Sequence, residues 1–444
     1  MKLKLWILAA VLVIGATVLA LRAWQDRPEW TTDSDAALAE FRRGLDAEMK
    51  FYHPEAYRHF SRALELDPEF VAAQVLLARL AEPARRRALL ERLSQADLER
   101  LTPRERFMAR YALALHHRIE LKPQQILRDC LAQHPRDPYA LEARSLQAWE
   151  RQDWEAAERS YQRLLEIDPN WARAQNHLGY LAMARGRFEE AEDLFRTYLY
   201  IAPDQANPND SMGELLTIRG RYEEAERALL QAIRTKPDFC ASYEHLVQLA
   251  ELSGQHQKSA AILAQAERQR ACPESKLTYL RCSAPMWRAM FQGDLVGAQR
   301  TAATACAGLG DQLPVQMHRF AVLARQLEQA RSIEGRMRDQ IERIGKGSKP
   351  GIAFYQADLL HMEGVRLLAQ GETGAAALAF RQADDRVTYW GNSQGIFKLF
   401  NLMHLAAALR RSGDRAGSAA VVAQIGRVNP KLAERYRDGD FAIP

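Results

Sequence analysis

Three prolines lie 34 residues apart in this chain of 444 residues, at Pro169, Pro203 and Pro237. Proline cannot continue a helix and disfavours helical geometry in the residue before it, so each proline marks the end of a unit. A period of this length is typical of a fold that stacks one helix-turn-helix unit many times. Because each helix pair leaves an apolar face that only the next pair covers, we expect a long surface and no single enclosed pocket.

Small residues recur at matched positions in the two most regular units. The matched pairs are Gly179 with Gly213, Gly186 with Gly220, and Ala191 with Ala225. Small side chains allow two antiparallel helices to approach closely, and we expect the aromatic residue that begins the second helix, Phe188 or Tyr222, to fill the space beside them. Since no alternating strand pattern of useful length is present, the sequence predicts an all-α fold.

The unit that runs from Ala172 to Gln205 resembles a tetratricopeptide repeat (TPR). The matching residues are Leu178, Gly179, Gly186, Phe188, Ala191, Phe195, Leu199 and Pro203, and the next unit answers with Met212, Gly213, Gly220, Tyr222, Ala225, Leu229, Ile233 and Pro237. The resemblance implies a TPR-type α-solenoid. Its register predicts five segments: 1–24, a transmembrane anchor or signal; 25–36, a linker; 37–273, about seven repeats, most regular at 138–239; 274–350, degenerate helical repeats; and 351–444, C-terminal TPR-like repeats.

The N-terminus carries 17 residues without a charge, at positions 5–21. This length is at the short end of what spans a bilayer. Trp6 and Trp24 would lie about 27 Å apart along a helix, near the two membrane interfaces. We favour a retained anchor over a cleaved signal peptide, for which cleavage after Ala20 or Ala23 is the alternative. Either form places the repeats outside the cytoplasm, which in a bacterium with two membranes is the periplasm, as a single-pass inner-membrane protein or a secreted one.

The five cysteines are Cys130, Cys240, Cys272, Cys282 and Cys306, an odd number, so at least one is unpaired within the chain. Cys272 and Cys282 are close enough in sequence to form a small disulfide, but spacing alone does not bring their side chains together. We favour the interpretation that most of the five are small buried apolar residues.

Several function classes find no support in the sequence. The net charge of +5 is modest, and the basic run Arg85-Arg86-Arg87 has no interleaved aromatic residues, so we expect no nucleic-acid binding. The match to GxSxG at residues 391–395 links two helical units, whereas the catalytic motif requires a strand before the serine. We therefore predict no enzyme activity, no metal or other cofactor, and no small-molecule substrate.

The TPR resemblance implies that the first helix of each unit lines a concave groove that binds a protein or peptide. Aromatic and flexible apolar groups lie there beside carboxylates and amides, a combination suited to an extended or helical peptide. An alternative for each residue is that it only packs between units. The groove candidates are Tyr139, Glu142, Leu146, Trp149, Arg173, Asn176, Tyr180, Met183, Asp210, Glu214, Thr217, Glu244 and Gln248.

One class of TPR partner is disfavoured by these positions. TPR proteins that hold the C-termini of chaperones look like a carboxylate clamp, in which Lys, Asn and Arg lie at fixed positions of the groove. Here Asn176 is followed by Tyr180, and the next unit supplies Asp210 and Glu214. Two carboxylates repel an acidic tail, so acidic tails and phosphates are expected to be poor ligands in this groove.

A second, short resemblance lies in residues 31–34 and 101–106. These segments are similar to extracytoplasmic TPR regions of bacterial membrane-bound regulators, which carry an output domain before the transmembrane helix. Only four residues precede the apolar segment here, so such a sensor would act through a partner. The favoured function is a non-catalytic scaffold that assists assembly or recruitment of envelope proteins. The alternatives are a regulatory sensor and a secreted soluble adaptor.

Overall fold

The computed structural model describes residues 29–151, 153–292, 304, 306, 314–345, 352–387 and 392–438. Helices connected by short turns make up these ranges, and no strand occurs in them. This confirms the all-α fold predicted from the repeat pattern. The chain divides into two compact units, Met1–Arg144 and Ser145–Pro444. The segment boundaries expected from the sequence stay predictions.

The first unit pairs its helices in chain order around an aromatic core. Phe41, Phe60 and Phe70 are fully buried there. The ring centroid of Phe41 lies 4.7 Å from that of Phe70 and 5.6 Å from that of Phe60. The helices are α1 (Asp35–Met49), α2 (His53–Leu66), α3 (Val71–Leu80), α4 (Pro83–Leu93), α5 (Pro103–Leu115) and α6 (Pro123–Gln133). The next helix, α7 (Pro138–Glu150), contains the division between the units.

The second unit continues the same alternation of first and second helices. Its helices are α8 (Trp154–Ile167), α9 (Ala172–Ala184), α10 (Phe188–Ile201), α11 (Asn207–Ile218), α12 (Tyr222–Thr235), α13 (Cys240–Leu252), α14 (His256–Arg268), α15 (Glu274–Gln292), α16 (Pro314–Leu323), α17 (Leu327–Gly345), α18 (Ile352–Ala369), α19 (Thr373–Arg386), α20 (Asn392–Arg411), α21 (Arg415–Val428) and α22 (Pro430–Asp438). The prolines that define the repeat lie in the connections after α8, α10 and α12.

Close helix approach occurs where the sequence pattern placed its glycines. A Cβ at Gly179 would lie 2.4 Å from the ring of Phe195, and a Cβ at Gly213 would lie 2.5 Å from Leu229. The expectation that the first aromatic of the second helix fills this space is wrong. The residue that does so lies two turns further along the second helix, at Phe195 or Leu229.

The turn glycines adopt backbone conformations that other residues rarely reach. Gly186 and Gly220 have φ values of 71° and 73°. An L-residue with a side chain is strained in this left-handed region. The expectation that these glycines allow the backbone to turn between helices is therefore confirmed.

Four of the five cysteines form disulfides, which corrects the interpretation of the cysteines as mostly free buried thiols. Cys240 bonds to Cys272, and Cys282 bonds to Cys306. The pairing of Cys272 with Cys282 that the sequence allowed does not occur. Cys130 is the free thiol, and burial raises its pKa to about 12. Spacing in sequence failed here because the cysteines that meet are 32 and 24 residues apart, while the pair that is nearest in sequence does not meet.

The C-terminal helices of the second unit return to the regular repeats. Asn429 is fully buried, and its amide oxygen accepts a hydrogen bond from the Tyr222 hydroxyl at 3.3 Å. Lys431 forms an ion pair with Glu223 at 2.6 Å, and the Arg435 guanidinium donates to the Leu252 carbonyl. Helix α20 also packs against α11. These contacts join residues about 200 positions apart, which the repeat pattern does not predict.

The segment before α1 is fixed to the start of α5. The Thr31 backbone amide donates to the Glu105 carboxylate at 2.9 Å, and the Thr102 amide donates to the Thr31 hydroxyl at 3.2 Å. Glu105 also completes a capping box with Thr102. Trp30, which is 4% exposed, lies 5.6 Å from the Arg104 guanidinium. We call residues 29–34 together with 101–105 the N-terminal clamp.

Replacing Glu105 with alanine is expected to lower the free energy of unfolding by about 1–2 kcal/mol, because the donors of Thr31 and Thr102 lose their common acceptor. Urea unfolding monitored by circular dichroism measures this change. Glu99→Ala is the control, since that carboxylate is exposed on the neighbouring turn. Equal stability of the two variants would show that the clamp contributes nothing.

No helix in the described ranges is long and apolar enough to cross a lipid bilayer. The span expected at residues 5–21 lies outside those ranges and stays a prediction.

Candidate functional site

A row of polar side chains connects the first helices of three consecutive repeats. Ser211 of α11 donates to the Asn176 amide oxygen of α9 at 2.8 Å. Tyr180 of α9 donates to the Glu214 carboxylate at 2.8 Å, and Ser242 of α13 donates to the Asp210 carboxylate at 2.7 Å. These residues and His245 are named the inner polar cluster. Each hydrogen bond joins neighbouring repeats, so the cluster fixes their relative orientation.

His245 lies between two carboxylates at the centre of the inner polar cluster. Its Nδ1 is 3.0 Å from Asp210 and its Nε2 is 3.9 Å from Glu214. Burial lowers the pKa of His245, but the carboxylates of Asp210 and Glu214 outweigh that effect and raise the pKa to about 10. The imidazole is therefore a cation at neutral pH and offsets one of the two carboxylate charges.

Tyr180 completes the cluster as a hydrogen-bond donor. Burial raises its pKa well above the ordinary value, and the carboxylates of Glu214 and Asp210 raise it further. Its ring meets Phe195 edge to face, with centroids 5.3 Å apart. The phenol therefore stays protonated and holds Glu214 in one position.

A second charged pair lies on the more accessible side of α13. Glu244 accepts from Lys276 at 2.8 Å, and their side chains are 20% and 38% exposed. The Lys276 ammonium lies 5.2 Å from the Tyr279 ring centroid. Burial, followed by the charge of Glu244, raises the pKa of Tyr279 to about 12. These groups present both signs of charge to solvent.

An aromatic group continues the surface toward the start of the second unit. Trp149 meets Trp154 edge to face at 5.6 Å, and His177 stacks on Tyr161 at 4.9 Å. Leu146, one turn before Trp149, is exposed. Rigid aromatic side chains beside an exposed leucine provide apolar contact area at a small entropic cost.

The structure places all thirteen groove candidates on first helices, but they differ in accessibility. Those that remain at least partly accessible in the second unit are Leu146, Trp149, Tyr180, Glu244 and Gln248; those that are buried are Arg173, Asn176, Met183, Asp210, Glu214 and Thr217. Helix α11 is buried along nearly its whole length because α20 packs against it in addition to its repeat neighbours. Whether any of these residues binds a peptide stays a prediction.

The two candidates in the first unit have structural contacts of their own. Tyr139 lies 5.8 Å from the Trp30 ring centroid and 5.3 Å from the Arg104 guanidinium. Glu142 is 7% exposed. The structure therefore places Tyr139 beside the N-terminal clamp.

Sequence reasoning missed His245, Ser211, Ser242 and Lys276. A usable signal was present, because side chains one repeat apart face each other between successive first helices. Asp210 and His245 are 35 residues apart, and Tyr180 and Glu214 are 34 apart. A search for complementary polar groups at one period would have found both pairs.

The GxSxG match lies at the start of a helix, and the basic run lies within α4. Within the GxSxG match, α20 begins at Asn392, while residues 388–391 lie outside the described ranges. Among the residues that the structure describes, no group of His, Cys, Asp and Glu is arranged to hold a metal ion. Arg86 of the basic run donates to the carbonyls of Ala78 and Ala81, which gives it a structural role.

The family model for the tetratricopeptide repeat matches residues 127–206 and 218–275. A tetratricopeptide repeat protein from Parabacteroides merdae is 16% identical, with a TM-score of 0.42, over 61% of this chain and 98% of its own. PilW, a type IV pilus biogenesis factor, is 19% identical, with a TM-score of 0.36, over 42% and 84% of the two chains. A chain of the APC/C hetero-tetramer Cut9-Hcn1 is 12% identical, with a TM-score of 0.47, over 96% of this chain and 82% of its own. No curated protein sequence matches significantly, and with TM-scores below 0.5 we draw no functional conclusion from these likenesses.

Proposed function

We propose that this chain, which contains tetratricopeptide repeats, is a non-catalytic scaffold that is anchored in the inner membrane and binds a protein segment in the periplasm. Its binding surface is formed by Leu146, Trp149, Tyr180, Glu244 and Gln248 on the first helices. The observation that carries the proposal is the inner polar cluster, which holds α9, α11 and α13 in a fixed relation. The five surface side chains on α7, α9 and α13 remain partly accessible. Such a surface assists assembly or recruitment of envelope proteins.

The chemistry of the surface selects the kind of segment that binds. Leu146 and Trp149 provide apolar anchors, whose burial drives association. Asp210 and Glu214 are buried, and His245 offsets one of their two negative charges. Charge selection therefore falls to Glu244 and Lys276, which favour a segment with amide or mixed charged groups.

Two further observations support the periplasmic location. Disulfides persist in oxidising compartments, and the chain has two, Cys240–Cys272 and Cys282–Cys306. The uncharged segment at residues 5–21 supplies the anchor or the export signal. If that segment is cleaved, the same surface acts in a secreted soluble adaptor.

A regulatory sensor is the second candidate function, and the N-terminal clamp favours it. The clamp joins residues that follow the proposed anchor directly to α5. A movement transmitted to residues 29–31 would therefore reach α5 of the first unit. In this form the chain passes a signal to a separate membrane protein that carries the output.

Photocrosslinking in cells tests the scaffold proposal. A benzoylphenylalanine at Gln248 is expected to capture a protein in the membrane fraction, and the same group at Gln162, exposed on the second helix α8, serves as the matched control. Trp149→Ala should weaken capture at Gln248 at least about fivefold, because it removes an aromatic anchor. Equal capture at both positions, or capture unaffected by Trp149→Ala, would contradict the proposal.

Replacing residues 1–24 with a cleavable export signal tests the anchor separately from the binding surface. The truncated chain is expected to be soluble, folded and helical in the periplasm and to keep the crosslink at Gln248. Binding of the purified truncated chain to protein-free lipid vesicles would contradict the anchor assignment. Loss of folding would contradict the combination of an anchor with an independent repeat stack.

A further inference from the structure

Helix α21 lacks the charges that other second helices of the same length carry. Helices α8, α10 and α12 each have 14 residues, of which five are charged. Helix α21 also has 14 residues, but only Arg415 and Arg427 are charged, and both lie near its ends. A helix with so few charged side chains is usually covered on most of its faces.

The described part of the chain covers only one side of α21. On that side Ile425 and Val428 are buried, and the Ser418 hydroxyl donates to the Ala406 carbonyl of α20 at 2.7 Å. On the other side Ala419 and Ala423 are exposed. An open groove of about 540 Å³ lies there, with Ala419, Val422 and Ala423 along its floor.

Three arginines surround this groove. They are Arg410 from α20, Arg415 from α21 and Arg437 from α22. Arg410 donates to the Tyr436 hydroxyl at 3.2 Å, and Arg437 donates to the Ala433 carbonyl at 3.3 Å. Among the side chains that the structure describes, which end at Arg437, no carboxylate lines the groove or pairs with the three guanidinium groups. The groove therefore combines an apolar floor with an uncompensated positive rim.

We propose that this groove, named the α21 groove, binds an amphipathic helix of a partner protein that has acidic residues beside its apolar face. The apolar face would cover Val422 and the small residues beside it, which permit close approach of two helices. The acidic residues would pair with Arg410, Arg415 and Arg437, and bidentate pairing with carboxylates favours arginine. The site is separate from the surface on α7, α9 and α13. It favours an acidic partner, whereas that surface favours a segment with amide or mixed charged groups.

A second copy of this chain is disfavoured as the occupant. In a two-fold dimer the same surface meets itself, so the arginines of one copy would face those of the other. Repulsion between like charges that are being desolvated opposes such contact. A partner with carboxylates removes this repulsion, and charge complementarity thus decides between the two occupants.

Fluorescence anisotropy with the full-length chain tests the proposal. The probe is a 16-residue labelled helical peptide with leucine along one face and glutamate beside it, and the control peptide has lysine in place of glutamate. We expect the acidic peptide to bind at least tenfold more tightly than the basic one, and its affinity to fall at least threefold between 50 and 300 mM salt. Equal affinity for both peptides would overturn the proposal.

Substitutions assign the binding to the α21 groove. Arg415→Glu and Ala423→Glu are each expected to weaken acidic-peptide binding at least about fivefold. Arg427→Glu changes the same charge on the same helix outside the groove and should change affinity less than twofold. Circular dichroism confirms that the variants fold. If Arg427→Glu had the effect of Arg415→Glu, the attraction would be non-specific and the proposal would fail.

Three other occupants have distinct signatures, each of which would overturn the proposal. If the chain sediments with twice the monomer mass and Ala419→Glu sediments as a monomer, the groove binds a second copy of the chain. Stronger binding of the peptide after deletion of residues 439–444 would assign it to the chain's own C-terminal segment. Binding to vesicles of one-third phosphatidylglycerol that Arg415→Glu abolishes, without binding of the acidic peptide, would assign it to a lipid surface.

Discussion

Replacing His245 with leucine is expected to lower the free energy of unfolding by about 3–5 kcal/mol, because it leaves Asp210 and Glu214 buried without their cation. Chemical denaturation of the full-length chain measures the change. His134→Leu is the control, since that side chain is exposed, and its effect should lie within about 0.5 kcal/mol. A similar small loss at His245 would show that the two carboxylates are stable without it.

The same histidine is expected to make stability depend on pH. The pKa of His245 is raised to about 10 in the folded chain, whereas an unfolded histidine has a pKa of about 6.5. The folded state keeps a proton that the unfolded state loses, so the stability that the pair contributes is fully present below about pH 6.5 and decreases as pH rises toward 10. The groups that face the imidazole are Asp210, Glu214 and Glu244.

Denaturation at several pH values measures this dependence. The unmodified chain should lose stability between pH 6.5 and 10, and His245→Gln should lack that part of the slope. A slope that is unchanged in His245→Gln would place its origin in other groups and contradict the assignment.

Replacing Gly179 with alanine is expected to lower the free energy of unfolding by about 2–3 kcal/mol, because the new methyl group would lie 2.4 Å from the Phe195 ring. Gly335→Ala, within α17, is the matched control. A Cβ there meets no atom within 4 Å, so the substitution should raise stability by about 0.5–1 kcal/mol. Thermal and chemical unfolding of the two variants measure the opposite signs. Destabilisation by both would attribute the effect to something other than the helix contact.

The repeat period predicted the local architecture well. The positive φ of Gly186 and Gly220 and the tight packing at Gly179 and Gly213 follow from residue type and spacing alone. These features depend on contacts within one unit or between neighbours, and such contacts recur with the sequence period. The assignment of the groove candidates to first helices has the same basis.

The accessibility of the groove candidates could not be predicted in the same way. Helix α11 packs against α20 in addition to its repeat neighbours, and Asn429 reaches Tyr222 across more than 200 residues. Contacts at such separation have no periodic signal. The disulfide partners depend on the spatial arrangement of successive repeats, so spacing alone suggested the wrong pair, Cys272 with Cys282.

The N-terminal clamp sets a limit on the working range of a membrane-anchored form. If residues 5–21 span the bilayer, only residues 22–28 separate the membrane from Glu29. Seven residues extend at most roughly 25 Å. Because Trp30 and Thr31 already contact α5, residues after 28 do not lengthen the connection to the first unit. In an anchored form, Glu29 and the N-terminal clamp would therefore stay within roughly 25 Å of the bilayer.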